Sequence, residues 1–178
     1  MKKFTLPKDG GLIEAGLPEG ILHSYERIPA HIFEDEDVAS ADLAEVIIRA
    51  INGSYGVFRL GLTTGSSPVS LYRELVRRHK VGDVSFENVE IFSIDEYYPA
   101  PPPSQSRNNR LYEELISKID VKHGNVHVPR YDEVKSTVTE SNAAFDKMAK
   151  GLDLLVMGVG EQGQLGFNEV SQFLEGGD

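Results

Sequence analysis

The chain has 178 residues, no cysteine, and 28 acidic against 18 basic residues, a formal charge of −10. That length suits a single domain with its own core, and the lack of cysteine excludes disulfides, thiolate nucleophiles and Cys-ligated zinc. The acidic excess, spread along the chain, argues against a nucleic-acid partner but not against a small anion held by backbone amides.

Residues 1–34 read as an N-terminal arm and first strand region, and residues 35–178 as the main domain. MKKFTL has a charged opening, but PKDGG follows it without an apolar core, and no apolar run reaches membrane-spanning length. A cytoplasmic protein without a membrane partner is expected. After Asp35, Leu43, Val46, Ile47 and Ala50 recur at helical spacing. Residues 56–63, GVFRLGLT, are a strand candidate that runs into TGSSP. Pro68 then suits the first turn of a helix whose buried face is Val69, Tyr72, Leu75 and Val76. Arg77, Arg78, His79 and Lys80 complement the dipole at its end. VEIFSI at 89–94 is a second strand, and YPAPPPS at 98–104 is a stiff surface loop. Tyr112, Leu115, Ile116 and Ile119 repeat the helical spacing. His123 and His127 lie on HGNVH, a loop or strand unsuited to holding a metal. Thr137 with Glu140 forms a capping box for a helix to about Lys150, and LLVM at 154–157 reads as a buried parallel strand.

Alternating strands and helices predict an α/β fold: an open, mostly parallel, Rossmann-like sheet with helices on both faces. Such sheets bind ligands at the carboxyl ends of their strands, and three strand ends carry suggestive residues. Thr63, Thr64, Gly65, Ser66 and Ser67 precede a helix N-terminus; they read either as a phosphate cradle or as a serine-capped turn. Asp95 and Glu96 follow an apolar strand, where a carboxylate is partly desolvated. Neighbours on extended chain point opposite ways, so only one faces a given ligand; the alternative reading of the pair is a helix cap or a solvated turn. Gly158, Gly160 and Gly163 have the spacing G-x-G-x-x-G, but they follow a late strand and do not open an amphipathic helix. A shaped loop fits them better than a dinucleotide site.

Taken together, LGLTTGSSP, VSFENVEIFSIDEYY and MGVGEQGQLGFNE resemble the glucosamine-6-phosphate deaminase/isomerase family, related to the 6-phosphogluconolactonases. The resemblance runs from about residue 35 to the C-terminus. It implies a sugar-phosphate site and conversion of glucosamine 6-phosphate to fructose 6-phosphate and ammonia, with no cofactor and no metal. By position, Thr64, Gly65, Ser66 and Ser67 match the phosphate loop. Asp95 matches the base that takes the C2 proton, and Glu96 is its neighbouring acid. The family's third loop carries Asp-Gly-His, with a glutamate further on that orients the histidine. Gln162 and Gln164 occupy the Asp and His positions, and Glu169 falls on the orienting glutamate. Glutamine hydrogen-bonds a sugar hydroxyl but exchanges no proton near neutral pH.

Three functions follow: a deaminase/isomerase with Asp95, Glu96 and Glu169 as its acids and bases, a sugar-phosphate sensor that binds without turnover, and a related lactonase. A sensor that regulates transcription would need a DNA-binding segment outside these residues. Family members continue past FNE, so the resemblance implies a C-terminally truncated fold, whose uncovered sheet invites homo-oligomer formation. SQSRNNR at 104–110 follows the DEYY loop, where a lid or a substrate contact would sit.

Overall fold

The computed structural model describes residues 31–129, 137–160 and 163–165. Helix α1, Glu36–Asn52, begins where Asp35 accepts a bond from the Val38 amide at 2.8 Å, with Glu36 and Asp37 favourably placed in its first turn. Its buried stripe is Ala44, Ile47, Ile48 and Ile51, with Ala50 beside it. That stripe is rotated from the expected one: Leu43 and Val46 sit at its margin, half-buried. Strand β1, Phe58–Leu62, leads to helix α2, Val69–Lys80, which buries Leu71, Tyr72, Leu75 and Val76.

Strand β2, Val89–Ser93, is followed by helix α3, Arg107–Glu114, and a 3-10 turn, Ile116–Lys118. The helix expected around Tyr112 therefore starts earlier, at the Ser106 cap, and inserts Leu111 rather than Tyr112, which is 45% exposed. HGNVH resolves into a 3-10 turn, His123–Asn125, and the two-residue strand β3, Val126–His127. Helix α4, Val138–Ala149, opens with the expected capping box between Thr137 and Glu140, and strand β4 is Leu154–Val156. The expectation that this last run is buried holds for Val156 only: Leu155 is 44% and Met157 37% exposed. β4 has β1 on one side and no further strand on the other among the described residues.

Among the described residues the four strands pair in parallel, in the order β3-β2-β1-β4. Alternation along β1 sends Phe58, Leu60 and Leu62 to one face. There they join Val89 and Ile91 of β2 with residues of α1, α2 and α3 in one core. Arg59 points to the other face, lies 4.8 Å over the Phe92 ring, pairs with Glu90 at 3.0 Å and donates to the carbonyls of Met148 and Lys150. Phe92 also meets Phe145 of α4 edge-on. Helices thus cover both faces. The chain winds from β1 outward to β3, and then returns past β1 to β4. The direction of winding reverses between β1 and β4, and an open parallel sheet has its natural crevice at the carboxyl ends beside such a reversal.

Candidate active site

The first loop leaves β1 at that reversal. Thr63 and Thr64 are buried, whereas Ser66 and Ser67 are exposed. Gly65 sits at φ 142, a backbone conformation that side chains with a Cβ resist, and it turns the chain into α2. No side chain caps α2, so the serine-capped alternative is not what the fold uses, and both hydroxyls stay on the surface of the loop beside a helix N-terminus. The Tyr72 hydroxyl, fully buried, donates to the Thr63 carbonyl and pins the loop from within. Burial pushes this phenol well up, so it stays a neutral donor.

The second loop leaves β2 with Asp95 and Glu96, which part company as expected. Glu96 turns to the start of α3, where its carboxylate accepts from the Ser106 hydroxyl at 2.6 Å and from the Arg107 and Asn108 amides at 3.1 Å each. A fourth bond, 2.9 Å, comes from the Tyr97 amide. Burial alone would raise its pKa, but these bonds outweigh burial and hold it below the usual glutamate range. Asp95 is different: its side chain is 10% exposed and neither carboxylate oxygen has a hydrogen-bond partner. Its ion pair is with Arg107, whose Nη1 lies 3.4 Å from Oδ2. Burial pushes Asp95 up, the Arg107 charge opposes this, and Glu96 adds to the rise, leaving the pKa above the ordinary aspartate value.

Arg107 was not assigned a role from sequence, yet it joins the two loops. Its Nη1 also donates to the Thr64 carbonyl at 3.0 Å and to the Thr64 hydroxyl at 3.2 Å. The Thr64 side chain therefore faces inward and is engaged by the protein, and Gly65, Ser66 and Ser67 are the loop residues turned outward. A cleft of about 590 Å³ opens beside the loop, lined by Thr64, Gly65, Tyr97, Ser106, Arg107 and Glu114 among others. Arg107 both lines this cleft and touches Asp95.

The third loop follows β4. Gly160 and Gln164 close it with a 2.8 Å backbone bond, and Val159 bridges Leu165 in antiparallel fashion. A Cβ on Gly160 would fall within 2.6 Å of all three terminal atoms of the Gln164 side chain, so this glycine is there to let the amide lie across the backbone. Gln164 is thus folded onto its own loop, and through Leu165 the glycine run shapes a turn rather than a helix start. Glu161, Gln162 and Glu169 lie outside the described residues. The start of this loop, Met157 and Gly158, shares a recess of about 220 Å³ with Thr63, Ser67 and Pro68, so the first and third loops are neighbours. His127 stacks on Phe92 at 4.5 Å while His123 faces Tyr112 at 6.4 Å, so the two histidines do not converge.

The chain is similar to known proteins in sequence and in fold. Residues 34–165 match the family model described as glucosamine-6-phosphate isomerases/6-phosphogluconolactonase. A glucosamine-6-phosphate isomerase from Candida albicans is 37% identical over 142 residues, 78% of this chain and 56% of that protein. A glucosamine-6-phosphate deaminase from Hahella chejuensis is 41% identical over 118 residues, 65% of this chain and 44% of that protein. The chain thus spans about half the length of these relatives. Among solved structures, a monomeric glucosamine-6-phosphate deaminase superposes with a TM-score of 0.70 at 24% identity, covering 77% of this chain and 57% of the other. A 6-phosphogluconolactonase from Thermotoga maritima gives 0.60 at 19% identity, covering 75% of this chain and 60% of the other. At those identities the likeness speaks for the fold.

Proposed function

The chain belongs to the glucosamine-6-phosphate isomerase/6-phosphogluconolactonase family, and from that premise we propose that it acts as a glucosamine-6-phosphate deaminase/isomerase. The observation that carries this reading is Asp95: a carboxylate nine-tenths buried, both oxygens unbonded, at a strand end beside a loop suited to a phosphate. The sugar phosphate binds with its phosphate against Gly65, Ser66 and Ser67 at the start of α2, where amides and the helix dipole favour an anion. In the open-chain form Asp95 takes the proton from C2, leaving an enolamine. Return of the proton at C1 gives an imine at C2, which water hydrolyses to fructose 6-phosphate and ammonia. A carboxylate raised by burial is a stronger base than one in water.

Glu96 serves this site from behind, holding α3 and Arg107 in place rather than exchanging protons. Gln162, Gln164 and Glu169 belong to the proposal as side chains that hydrogen-bond or orient the sugar. The acidic composition fits a small-molecule enzyme of the cytoplasm without a nucleic-acid partner, and no helix among the described residues is long and apolar enough to cross a membrane.

A second reading, a sugar-phosphate sensor, is favoured by Gln164, whose amide lies folded on Gly160 where the family keeps a proton-exchanging histidine. Incubation with glucosamine 6-phosphate separates the two. The enzyme reading predicts ammonia and fructose 6-phosphate in equal amounts. Saturable binding with neither product would leave the sensor.

A further inference from the structure

SQSRNNR carries none of the proposed chemistry, yet it delivers the side chain that spans the site. Arg107 is the first residue of α3, and its Nη1 is within 3.0–3.4 Å of the Thr64 carbonyl, the Thr64 hydroxyl and Asp95 Oδ2. Its guanidinium carbon lies 5.3 Å from the centre of the Tyr97 ring, a cation–π arrangement that fixes the fork's plane. The backbone behind it is held as well, since Glu96, the residue next to Asp95, accepts from the Arg107 amide and from Ser106 and Asn108. The contacts form a closed circuit: from Asp95 along the chain to Glu96, across to the N-terminus of α3, and back through the guanidinium to Asp95 and to the loop after β1.

We propose that Arg107 is the positioning residue of this site: it locks Asp95 to the phosphate-side loop and supplies the counter-charge beside the buried carboxylate. The proposal rests on the reading of Asp95 as the base.

The groups around Asp95 leave that work to Arg107. Glu96 is adjacent but its carboxylate is turned to α3, and what it exerts on Asp95 is repulsion. From α2 comes Tyr72, a neutral phenol whose hydroxyl is committed to the Thr63 carbonyl. Glu114, further along α3, pairs with Arg110 at 2.7 Å. Burial and Glu96 both favour the protonated acid, and the guanidinium from α3 is the charge that opposes them. A guanidinium suits this place better than an ammonium because it is always charged and presents several donors in one rigid plane.

The test is a pH titration of the Asp95 carboxyl carbon by 13C NMR in the wild-type protein and in Arg107→Gln and Arg107→Lys. An opposite charge at this range shifts a carboxylate by about one to three pKa units. Arg107→Gln should therefore raise the proton affinity of Asp95 about tenfold or more, whereas Arg107→Lys, which keeps the charge, should leave it nearly unmoved. A general loss of structure would scale activity at every pH without moving this midpoint. A folded Arg107→Gln protein with the wild-type midpoint overturns the proposal. Should that variant fail to fold, Arg107→Lys decides: it keeps the charge but loses the fork, so KM for glucosamine 6-phosphate should rise severalfold, and an unchanged KM and kcat overturn the tether. Failure of the base assignment looks different: C2 proton exchange would survive in Asp95→Asn while the effect of Arg107 on the Asp95 titration persisted.

Discussion

Adjacent acids do opposite jobs here because the chain sends them in opposite directions. Glu96 is surrounded by donors, three of them backbone amides and one the Ser106 hydroxyl, and its charge is worth more folded than unfolded. A carboxylate with a depressed pKa contributes stability above its unfolded value, here the ordinary 4.5, and loses that contribution as pH falls through its lower folded value. Glu96→Gln should therefore cost about 1–2 kcal/mol near pH 7, the scale of a lost helix cap. The gap from wild type should close in acid once the carboxylate protonates, which urea denaturation at several pH values measures. Asp95 has the reverse linkage. Its folded pKa is raised, so its ionised form is disfavoured by the fold, and the strain of holding it charged grows as pH rises through its folded value. The fold thus favours the ionised form of one carboxylate and disfavours that of its neighbour.

At the scale of elements, the loop between β1 and α2 is stiffened from below by a single phenol. Tyr72 is fully buried and its hydroxyl meets the Thr63 carbonyl one residue before Thr64. Tyr72→Phe would leave that carbonyl buried without its partner, a loss of about 1–3 kcal/mol. Thermal unfolding should show the loss, and KM for the sugar phosphate should rise because the loop no longer holds its shape. Periodicity located α1 and α2, whereas α4 was found from its Thr137–Glu140 capping box and β1 and β2 from short apolar runs. The two-residue β3 stayed undecided between loop and strand because Val126 and His127 are too short a run to alternate. α3 was displaced because its start is fixed by Ser106 and Glu96, and Glu96 lies 10 residues upstream of that serine, across a proline-rich loop with no period. Arg107 escaped for the same reason. Its partner Thr64 is 43 positions away, a proximity that exists only once β1 and β2 pair.

At the scale of the molecule, a four-stranded parallel sheet gathers the ends of β1, β2 and β4 on one edge, and the reversal of winding beside β1 opens the crevice there. That Thr64–Ser67 and Asp95 lie together was legible in the sequence because strand ends in such a sheet converge whatever the loops contain. What the third loop contributes was less so: its glycines signalled a shaped turn, but the fold of Gln164 onto Gly160 depends on three-dimensional closure. The central claim is that this assembly uses Asp95 to remove the C2 proton of a bound amino-sugar phosphate. It is tested most directly by proton NMR of glucosamine 6-phosphate in heavy water with wild-type protein and with Asp95→Asn. The account predicts that the C2–H signal decays with wild type and persists with the variant, although the variant still broadens the substrate lines by binding and is at least as stable near pH 7. Decay at the wild-type rate with Asp95→Asn, or no decay with wild type despite binding, would contradict it.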